Sequence, residues 1–470
     1  MLEIRIQPRL FWIVAIVLSL SIADYPAFAA SAKPGPPNIV LILADDLGYA
    51  DLGFTGARDI ATPNLDALAR EGVRCTQAYV TASMCSPSRA GLMTGRYQAR
   101  WGHDSNYSTL LLPPTELNLA QRLKALGYVT GIVGKWHLGQ PNKLDEMPLA
   151  RGFDEAFLTA HNAQYFDESY FDSLGSAKFE RLADQTLYST DLCGARGADF
   201  IRRHRDRPFF LYLPFNAVHE NMFVPLRLEA PQKYLDRVAG IADPARRTMA
   251  AMVLGLDDAV GVVMRALRET GLDENTLVFF LSDNGGVLQF VQQGTSNNAP
   301  FSGGKGTLRE GGIRTPFVVR WKAHFPAGGE YSQPVSSLDI VPTAVAACRS
   351  SHPAPRDEAN PADLSRSDSS ALDGVNLLPF LEGRTADDPH PALYWRVGER
   401  GVIRKGDWKL LHSSSSGARE LYRLADDLGE RNNLARQYPE KVAELAADWR
   451  RWNATMSAPQ SIEPTKGKGK

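Results

Sequence analysis

The run Asn38-Ile39-Val40-Leu41-Ile42-Leu43-Ala44 narrows the fold more than any other feature of the chain. It is unbroken, uncharged and rich in branched side chains, as a strand buried on both faces must be. Such a strand requires helices above and below its sheet, and the sequence supplies them in alternation with further strands. A helix pattern from Pro63 to Glu71 places Leu65 and Leu68 on one face and stops at Gly72. Further strand candidates are Tyr128 to Val133, Phe209 to Leu213, Thr276 to Leu281 and Pro316 to Arg320. Ser189-Thr190-Asp191 can cap a helix reaching His204, and Ala245 to Glu269 reads as a long helix closed by Gly271. The expected class is α/β, with a sheet covered on both faces.

Length sets the organisation. The 470 residues are enough for one large domain and a smaller one, and 44% hydrophobic with 22% charged residues excludes a disordered chain. A net charge of -1 gives no global field for nucleic acid or an acidic membrane, so any anion specificity must be local. Residues 1–29 read as a signal peptide: Arg5 and Arg9 precede the apolar run Leu10 to Ala23, and Ala27-Phe28-Ala29 offers a small-x-small cleavage site. That run is shorter than the roughly 20 residues a spanning helix needs, so the expected protein is exported (periplasmic, at the cell surface or secreted) with no stable membrane span. The large domain is expected over 34–385, with an exposed loop at 350–373 where Ser, Asp, Pro and Ala crowd together. A small antiparallel subdomain with a closing helix is expected over 390–458, from the strand candidates Ala392 to Trp395, Gly401 to Ile403 and Trp408 to His412 and the stripe Val442, Leu445, Trp449 and Trp452. Residues 459–470 read as a disordered tail.

Cys75, Cys85, Cys193 and Cys348 are too few for a disulfide scaffold and form no C-x-x-C metal motif; at most two bridges could form. Cys85 stands apart. It lies in Cys85-Ser86-Pro87-Ser88-Arg89, read as a polar turn with a cation four residues on.

Open α/β sheets place ligands beyond the carboxyl ends of their strands, and the unusual polar residues fall there. Asp45-Asp46, Lys135-Trp136-His137, His219 and Asp283-Asn284 each follow a predicted strand. Adjacent carboxylates at a buried strand end repel each other unless a cation neutralises them. A divalent ion bound by Asp45, Asp46, Asp283 and the amide oxygen of Asn284 answers this, and an all-oxygen set favours Ca²⁺ or Mg²⁺ over zinc, with Ca²⁺ the more tolerant of irregular geometry. Asp257-Asp258, inside the long helix, reads instead as a solvated face or a helix-to-loop hydrogen bond. Arg89, Lys135, His137, His219 and Lys305 lie on turns or strand ends, several beside glycines, and together would receive an anion. Singly, each has an ordinary reading as a salt-bridge partner, a surface cation or a hydrogen-bonded histidine.

Two long motifs carry a resemblance to the formylglycine-dependent (type I) sulfatases of the alkaline-phosphatase-like superfamily. Cys85-Ser86-Pro87-Ser88-Arg89-Ala90-Gly91-Leu92-Met93-Thr94-Gly95-Arg96 resembles the signature in which the cysteine is oxidised to formylglycine, and Gly127-Tyr128-Val129-Thr130 through Gly134-Lys135-Trp136-His137-Leu138-Gly139 resembles the second. The likeness continues through Asn216-Ala217-Val218-His219, Ser282-Asp283-Asn284-Gly285-Gly286, Gly303-Gly304-Lys305-Gly306 and Gly311-Gly312-Ile313-Arg314-Thr315-Pro316. It includes Gly406-Asp407-Trp408-Lys409 and Glu420-Leu421-Tyr422 of the C-terminal subdomain.

The resemblance implies a large mixed sheet flanked by helices with a smaller antiparallel-sheet-plus-helix subdomain. It implies one calcium ion on Asp45, Asp46, Asp283, Asn284 and the modified Cys85, and a maturation enzyme that generates the formylglycine. Arg89 and Lys135 would steady formylglycine and sulfate. One hydroxyl of the hydrated aldehyde, assisted by Asp283, would attack sulfur while His219, helped by Lys305, serves the departing alcohol; His137 would then deprotonate the second hydroxyl to expel sulfate.

Substrate identity is less accessible, because loops set specificity around a constant sulfate pocket. His103, Asn106 and His161 are candidates for contacts beyond the sulfate. The stretch Phe157 to Tyr165 departs from the family's glycine-rich pattern, and His219-Glu220-Asn221 replaces its common His-x-Pro. The expected substrate is a sulfated sugar or polysaccharide, with small sulfate esters as artificial ones. The alternatives are a phosphonate or phosphate ester hydrolase of the same superfamily and an inactive glycan-binding descendant.

Overall fold

The computed structural model describes residues 35–140, 142–159, 165–166, 188–221, 224, 226–351, 372–413 and 416–460, with 171–173, 180–181 and 350–351 as backbone alone. The predicted signal peptide, His161, most of the 350–373 loop and the end of the tail lie outside the described residues.

Among the described residues the large sheet has ten strands. In chain order they are β1 Asn38–Ala44, β2 Val73–Cys75, β3 Val129–Gly134, β4 Glu155–Leu158, β5 Phe171–Ser173, β6 Glu180–Arg181, β7 Phe209–Pro214, β8 Thr276–Ser282, β9 Phe317–Arg320 and β10 Gly329–Tyr331. Across the sheet they run β10-β2-β9-β8-β1-β7-β3-β4-β5-β6. β8, β1, β7, β3 and β4 are mutually parallel, and antiparallel pairing begins at β9 on one side and β5 on the other.

Every residue of β1 is buried, and its side chains divide strictly by parity. Ile39, Leu41 and Leu43 join one core with helix α2 (Cys85–Thr94) and helix α5 (Ile340–Ser351). Val40, Ile42 and Ala44 join the other with α1 (Pro63–Glu71), α3 (Ser189–Arg203) and α4 (Pro244–Glu269). Each large side chain so buried contributes about 1.5–3 kcal/mol, which makes this strand the common wall of both cores. Asp257 of α4 accepts hydrogen bonds from the backbone N–H groups of Asn64 (3.2 Å) and Leu65 (2.8 Å), so it is neither a solvated face nor bonded to a loop but joins one helix to the start of another. It satisfies donors at the start of α1, where Thr62 provides no side-chain cap.

The C-terminal sheet is a four-stranded antiparallel meander, β11 Leu393–Val397, β12 Arg400–Lys405, β13 Trp408–Ser413 and β14 Arg419–Arg423. Helix α6 (Pro439–Asn453) lays Val442, Leu445 and Trp449 on Ile403, Leu410 and Leu421. The opposite face, Leu393, Trp395 and Val402, packs on Tyr79, Leu308 and Ile313 of the large domain.

Some expectations need correction. Cys85-Ser86-Pro87-Ser88-Arg89 is no turn but the first half of α2, buried along its whole length and closed by Gly95 in the left-handed region at φ 70°. Pro87 is tolerated because the first turn of a helix has no N–H partner to lose, and the polar side chains face a site rather than solvent. Arg89 therefore projects from this helix rather than from a strand end. The N-cap of α3 is Tyr188, and Ser189, Thr190 and Asp191 form its first turn rather than preceding it. α5 runs through Ser351, past the predicted loop start, and Asp373 at the loop's far end is held by Arg100 and the Tyr97 N–H. Gln460, assigned to the tail, donates to the carbonyls of Trp101 and Leu110.

Candidate active site

Parallel pairing brings the polar strand ends to one edge of the sheet. Ala44 lies opposite Ser282, and Leu43 opposite Pro214, so Asp45-Asp46, Asp283-Asn284 and the segment after β7 leave the sheet together. Their backbones are then knitted: Asp283 N–H donates to Ala44 O (3.1 Å), Asp45 N–H to Ala217 O (3.0 Å) and Lys135 N–H to Pro214 O (2.7 Å). Asp46 and His137 both adopt left-handed backbone, at φ 59° and 55°. Non-glycine residues in that region store strain that the surroundings must hold, and such strain gathers at functional sites. Here the Asp46 N–H is held by Asp283 Oδ1 at 3.2 Å.

α2 delivers Cys85 into this cluster. Its thiol Sγ lies 3.4 Å from Asp45 Oδ1 and 3.7 Å from Asp46 Oδ1. Lys135 Nζ donates to Asp45 Oδ2 and Lys305 Nζ to Asp46 Oδ2, each at 2.6 Å. One helical turn after Cys85, Arg89 donates to Asp283 Oδ2 through Nε (2.9 Å) and to the Lys135 carbonyl through Nη1 (3.0 Å). Asn284 Nδ2 donates to Asp46 Oδ1 at 2.8 Å, and His219 Nε2 lies 3.6 Å from Asp46 Oδ2. Asp45, Asp46, Asp283, Cys85, Arg89 and Lys135 are all essentially excluded from solvent.

Burial by itself raises every carboxylate here; the neighbours decide the outcome. Lys135 and Arg89 hold Asp45 well below the ordinary carboxylate range, and Lys305 with His219 lowers Asp46. Asp283 goes the other way, to about 7, because burial and the charge of Asp45 outweigh Arg89. Burial and the Asp45 charge also raise the Cys85 thiol well above its ordinary value. Burial and Lys135 lower His219 to about 4. Its Nδ1 is 2.7 Å from the Glu220 carbonyl, which leaves Nε2 facing the carboxylates.

These residues fit a hard cation. The ligand atoms of Asp45, Asp46, Cys85 and His219 lie within 4.8 Å of one another, and Asn284 Oδ1 is buried without a hydrogen-bond partner beside them. The carboxylates of Asp45 and Asp46, the amide oxygen and a position for one more oxygen at Cys85 are donors that a hard cation such as Ca²⁺ takes, while Asp283, outside that group of four, adjoins it through the Asp46 N–H.

The other predicted residues fall one layer out. Ser86 Oγ donates to the His137 carbonyl (2.9 Å) and lies 3.0 Å from His103 Nε2, while Asn106 Oδ1 accepts the Ser86 N–H (3.0 Å). His103 is fully buried and Asn106 half-buried, and both brace the start of α2.

Residues without a sequence signal complete the frame. Tyr165 OH donates to the carbonyls of Asn216 and His219, and Glu229 accepts from the Tyr165 N–H and Asn221 Nδ2, fixing the segment that carries His219. Asn298 accepts from the N–H groups of Tyr49 and Gly286. The Lys305 loop lies flush on the Asp283-Asn284-Gly285 loop. A Cβ on Gly285 would run into the Gly311 carbonyl, and one on Gly312 into that of Thr307, so these contacts admit only glycine.

Fold and cluster define an α/β enzyme of alkaline-phosphatase-like architecture. A model of the sulfatase family matches residues 37–349. The chain is 34% identical to the human (Homo sapiens) N-acetylgalactosamine-6-sulfatase over 393 residues, covering 78% of this chain and 70% of the relative. It is 33% identical to arylsulfatase A of Bos taurus, covering 89% and 83%. Among solved structures it is similar to Ps i-CgsB in complex with k-i-k-neocarrahexaose, with a TM-score of 0.76, 31% identity, and coverage of 92% and 95%. The chain belongs to the sulfatase family and is a sulfuric ester hydrolase. No helix among the described residues is long and apolar enough to cross a membrane.

Proposed function

We propose that this enzyme is exported and removes sulfate from a sulfated carbohydrate, with Cys85 converted to formylglycine and calcium held by Asp45, Asp46, Asp283, Asn284 and the modified Cys85. The observation that carries the reading is the position of Cys85: at the start of a buried helix, against two carboxylates, and flanked by Lys135, Lys305 and Arg89. The carbohydrate class is supported by a relative named for N-acetylgalactosamine and a similar structure holding neocarrahexaose.

Formylglycine supplies a nucleophilic oxygen where the thiol now stands, and calcium, when bound, supplies positive charge beside it. Charge balance favours an anion in the completed site: Asp45, Asp46 and Asp283 are offset by Arg89, Lys135 and Lys305, so a divalent cation leaves an excess that a sulfate group neutralises. Lys135 and Lys305 bind the nonbridging oxygens, and Arg89 holds Asp283 in place to assist the nucleophile. His219 Nε2 carries the proton for the departing alcohol. Burial, then Lys135 and Lys305, lower its pKa; a seated anion offsets the repulsion from the two lysines and so favours the protonated ring. His137, on the turn that presents Lys135, takes the proton whose loss releases sulfate. His103 and Asn106 support α2 from beneath.

The test is peptide mass spectrometry of the exported protein at Cys85, together with rates on matched sulfate and phosphate esters. Aldehyde at Cys85 and faster sulfate turnover are expected. An unmodified thiol in fully active protein overturns the nucleophile, a faster phosphate ester favours the phosphohydrolase alternative, and binding without turnover by modified protein favours the inactive descendant.

A further inference from the structure

We propose that the C-terminal sheet belongs to the catalytic apparatus, with Lys409 of β13 positioning the glycine-rich loop that carries Lys305. The inference rests on the reading above, in which Lys305 meets the sulfate.

The Lys409 side chain has no solvent exposure, and its Nζ lies 2.8 Å from Glu310 Oε1 and 2.8 Å from Glu430 Oε1. One of these carboxylates, Glu430, grips both ends of one segment, and the other, Glu310, stands at its second end. Glu430, in the loop after β14 and in left-handed backbone at φ 52°, accepts through Oε2 from Ser302 Oγ (2.8 Å) and from the Glu310 N–H (2.8 Å). The chain from Ser302 to Glu310 thus leaves and returns to a single carboxylate, which Lys409 holds in place.

Lys305 lies inside that closed segment. Its N–H donates to Gly286 O (2.9 Å), the following Gly306 N–H donates to Ser83 O (2.8 Å) just ahead of Cys85, and its Nζ reaches Asp46. The path from Lys409 to the cluster is therefore short and continuous: Glu430 and Glu310, the Ser302–Glu310 segment, then Lys305.

Adhesion alone does not call for buried ions here. The same interface already packs Tyr79, Leu308 and Ile313 against Leu393, Trp395 and Val402. Burying three ionised groups is costly, and apolar replacements often serve cohesion equally well. What the ions add is direction, because a Lys–carboxylate contact at this distance fixes the loop's register in a way that apolar packing does not.

The experiment is a double-mutant cycle in the full-length, matured, calcium-loaded enzyme, with a chromogenic aryl sulfate as probe and kcat and KM measured separately. Lys409→Met is expected to lower kcat/KM by about 10–100-fold with calcium and formylglycine contents unchanged, and to lower it by less than about threefold when Lys305→Ala is already present. An unchanged rate in Lys409→Met, or the same loss in both backgrounds, overturns the inference, since general damage multiplies regardless of Lys305. Should Lys409→Met fail to fold, Ser302→Ala removes only the half-buried hydroxyl bond to Glu430. It is expected to cost about two- to fivefold with the same dependence on Lys305, and an equal loss with and without Lys305 overturns the inference. Wild-type turnover by Lys305→Ala alone instead overturns the reading of the sulfate site, and the positioning inference falls with it.

Discussion

Two clusters of buried charge meet the Lys305 loop, and one carboxylate of each, Glu310 and Asp283, behaves in the opposite way to the other, while Asp45 and Asp46 are lowered as Glu310 is. Where the C-terminal sheet meets the Lys305 loop, burial raises Glu310, but Lys409, Arg314 and Arg404 surround it and bring it down to about 2. At the strand ends Asp283 touches Arg89 and still rises to about 7, because burial first, and then the charges of Asp45 and Asp46, outweigh that contact. The interface has as much positive charge as it needs. The strand-end cluster is built to receive more, and this is what distinguishes a site from a clasp.

The sharpest way to break that contrast is at the strand ends. Cys85→Ala is expected to reduce turnover by about 10⁴-fold or more while leaving the melting temperature close to wild type, because a small buried side chain is exchanged for a smaller one. Calcium removal is expected to act on both quantities. Chelation should abolish turnover and lower the melting point, and calcium at a hundred times its Kd should restore about 2.7 kcal/mol. Scanning calorimetry alongside an aryl sulfate assay checks both. A Cys85→Ala protein that melts far below wild type would mean that the cluster holds the fold together as the interface does.

At the interface the larger expected effect is on stability, with turnover falling only through the Lys305 loop and calcium content unchanged. Glu310→Gln leaves Lys409 and Arg314 short of a buried partner and is expected to cost about 3–5 kcal/mol. The pH dependence follows from the sign of the shift. Because the folded-state pKa of Glu310 is depressed, its contribution is complete above the ordinary carboxylate value, about 4.3, and is lost as pH falls toward 2. Wild-type melting temperature should therefore fall across that window more steeply than that of Glu310→Gln. Parallel curves would show that Glu310 is not the group whose protonation matters there.

How much of this could be read in the sequence depended on whether the signal was local. β1 declares itself because seven buried residues in a row leave no alternative, and Asp45-Asp46 can be placed because they end it. α2 was hidden, since its residues are polar for the benefit of the site and its burial comes from elements far along the chain. The 3.0 Å contact of His103 Nε2 with Ser86 Oγ has no local signal either, because it joins positions on separate elements. β2 and β10, three residues each, exist only because β9 and each other complete their ladders. The same holds for Lys409 and Glu310, whose contact joins positions 99 residues apart. A buried ion pair is invisible until the fold has closed around it.

An exposed pair supplies the control that the contrast needs. Arg74 and Glu330 meet at 2.7 Å across β2 and β10, closer than Lys409 to Glu310, yet their side chains are 41% and 51% exposed. Water already solvates both charges there, so separating them exposes nothing that was hidden and salt screens what attraction remains. Glu330→Gln is expected to change stability by less than about 1 kcal/mol, with the difference shrinking further in 1 M salt. Chemical denaturation of both variants at low and high salt measures this directly. Should Glu330→Gln cost as much as Glu310→Gln, contact distance rather than desolvation would be setting the energy of these pairs. The comparison between the interface and the strand ends would then have to be rebuilt on geometry alone.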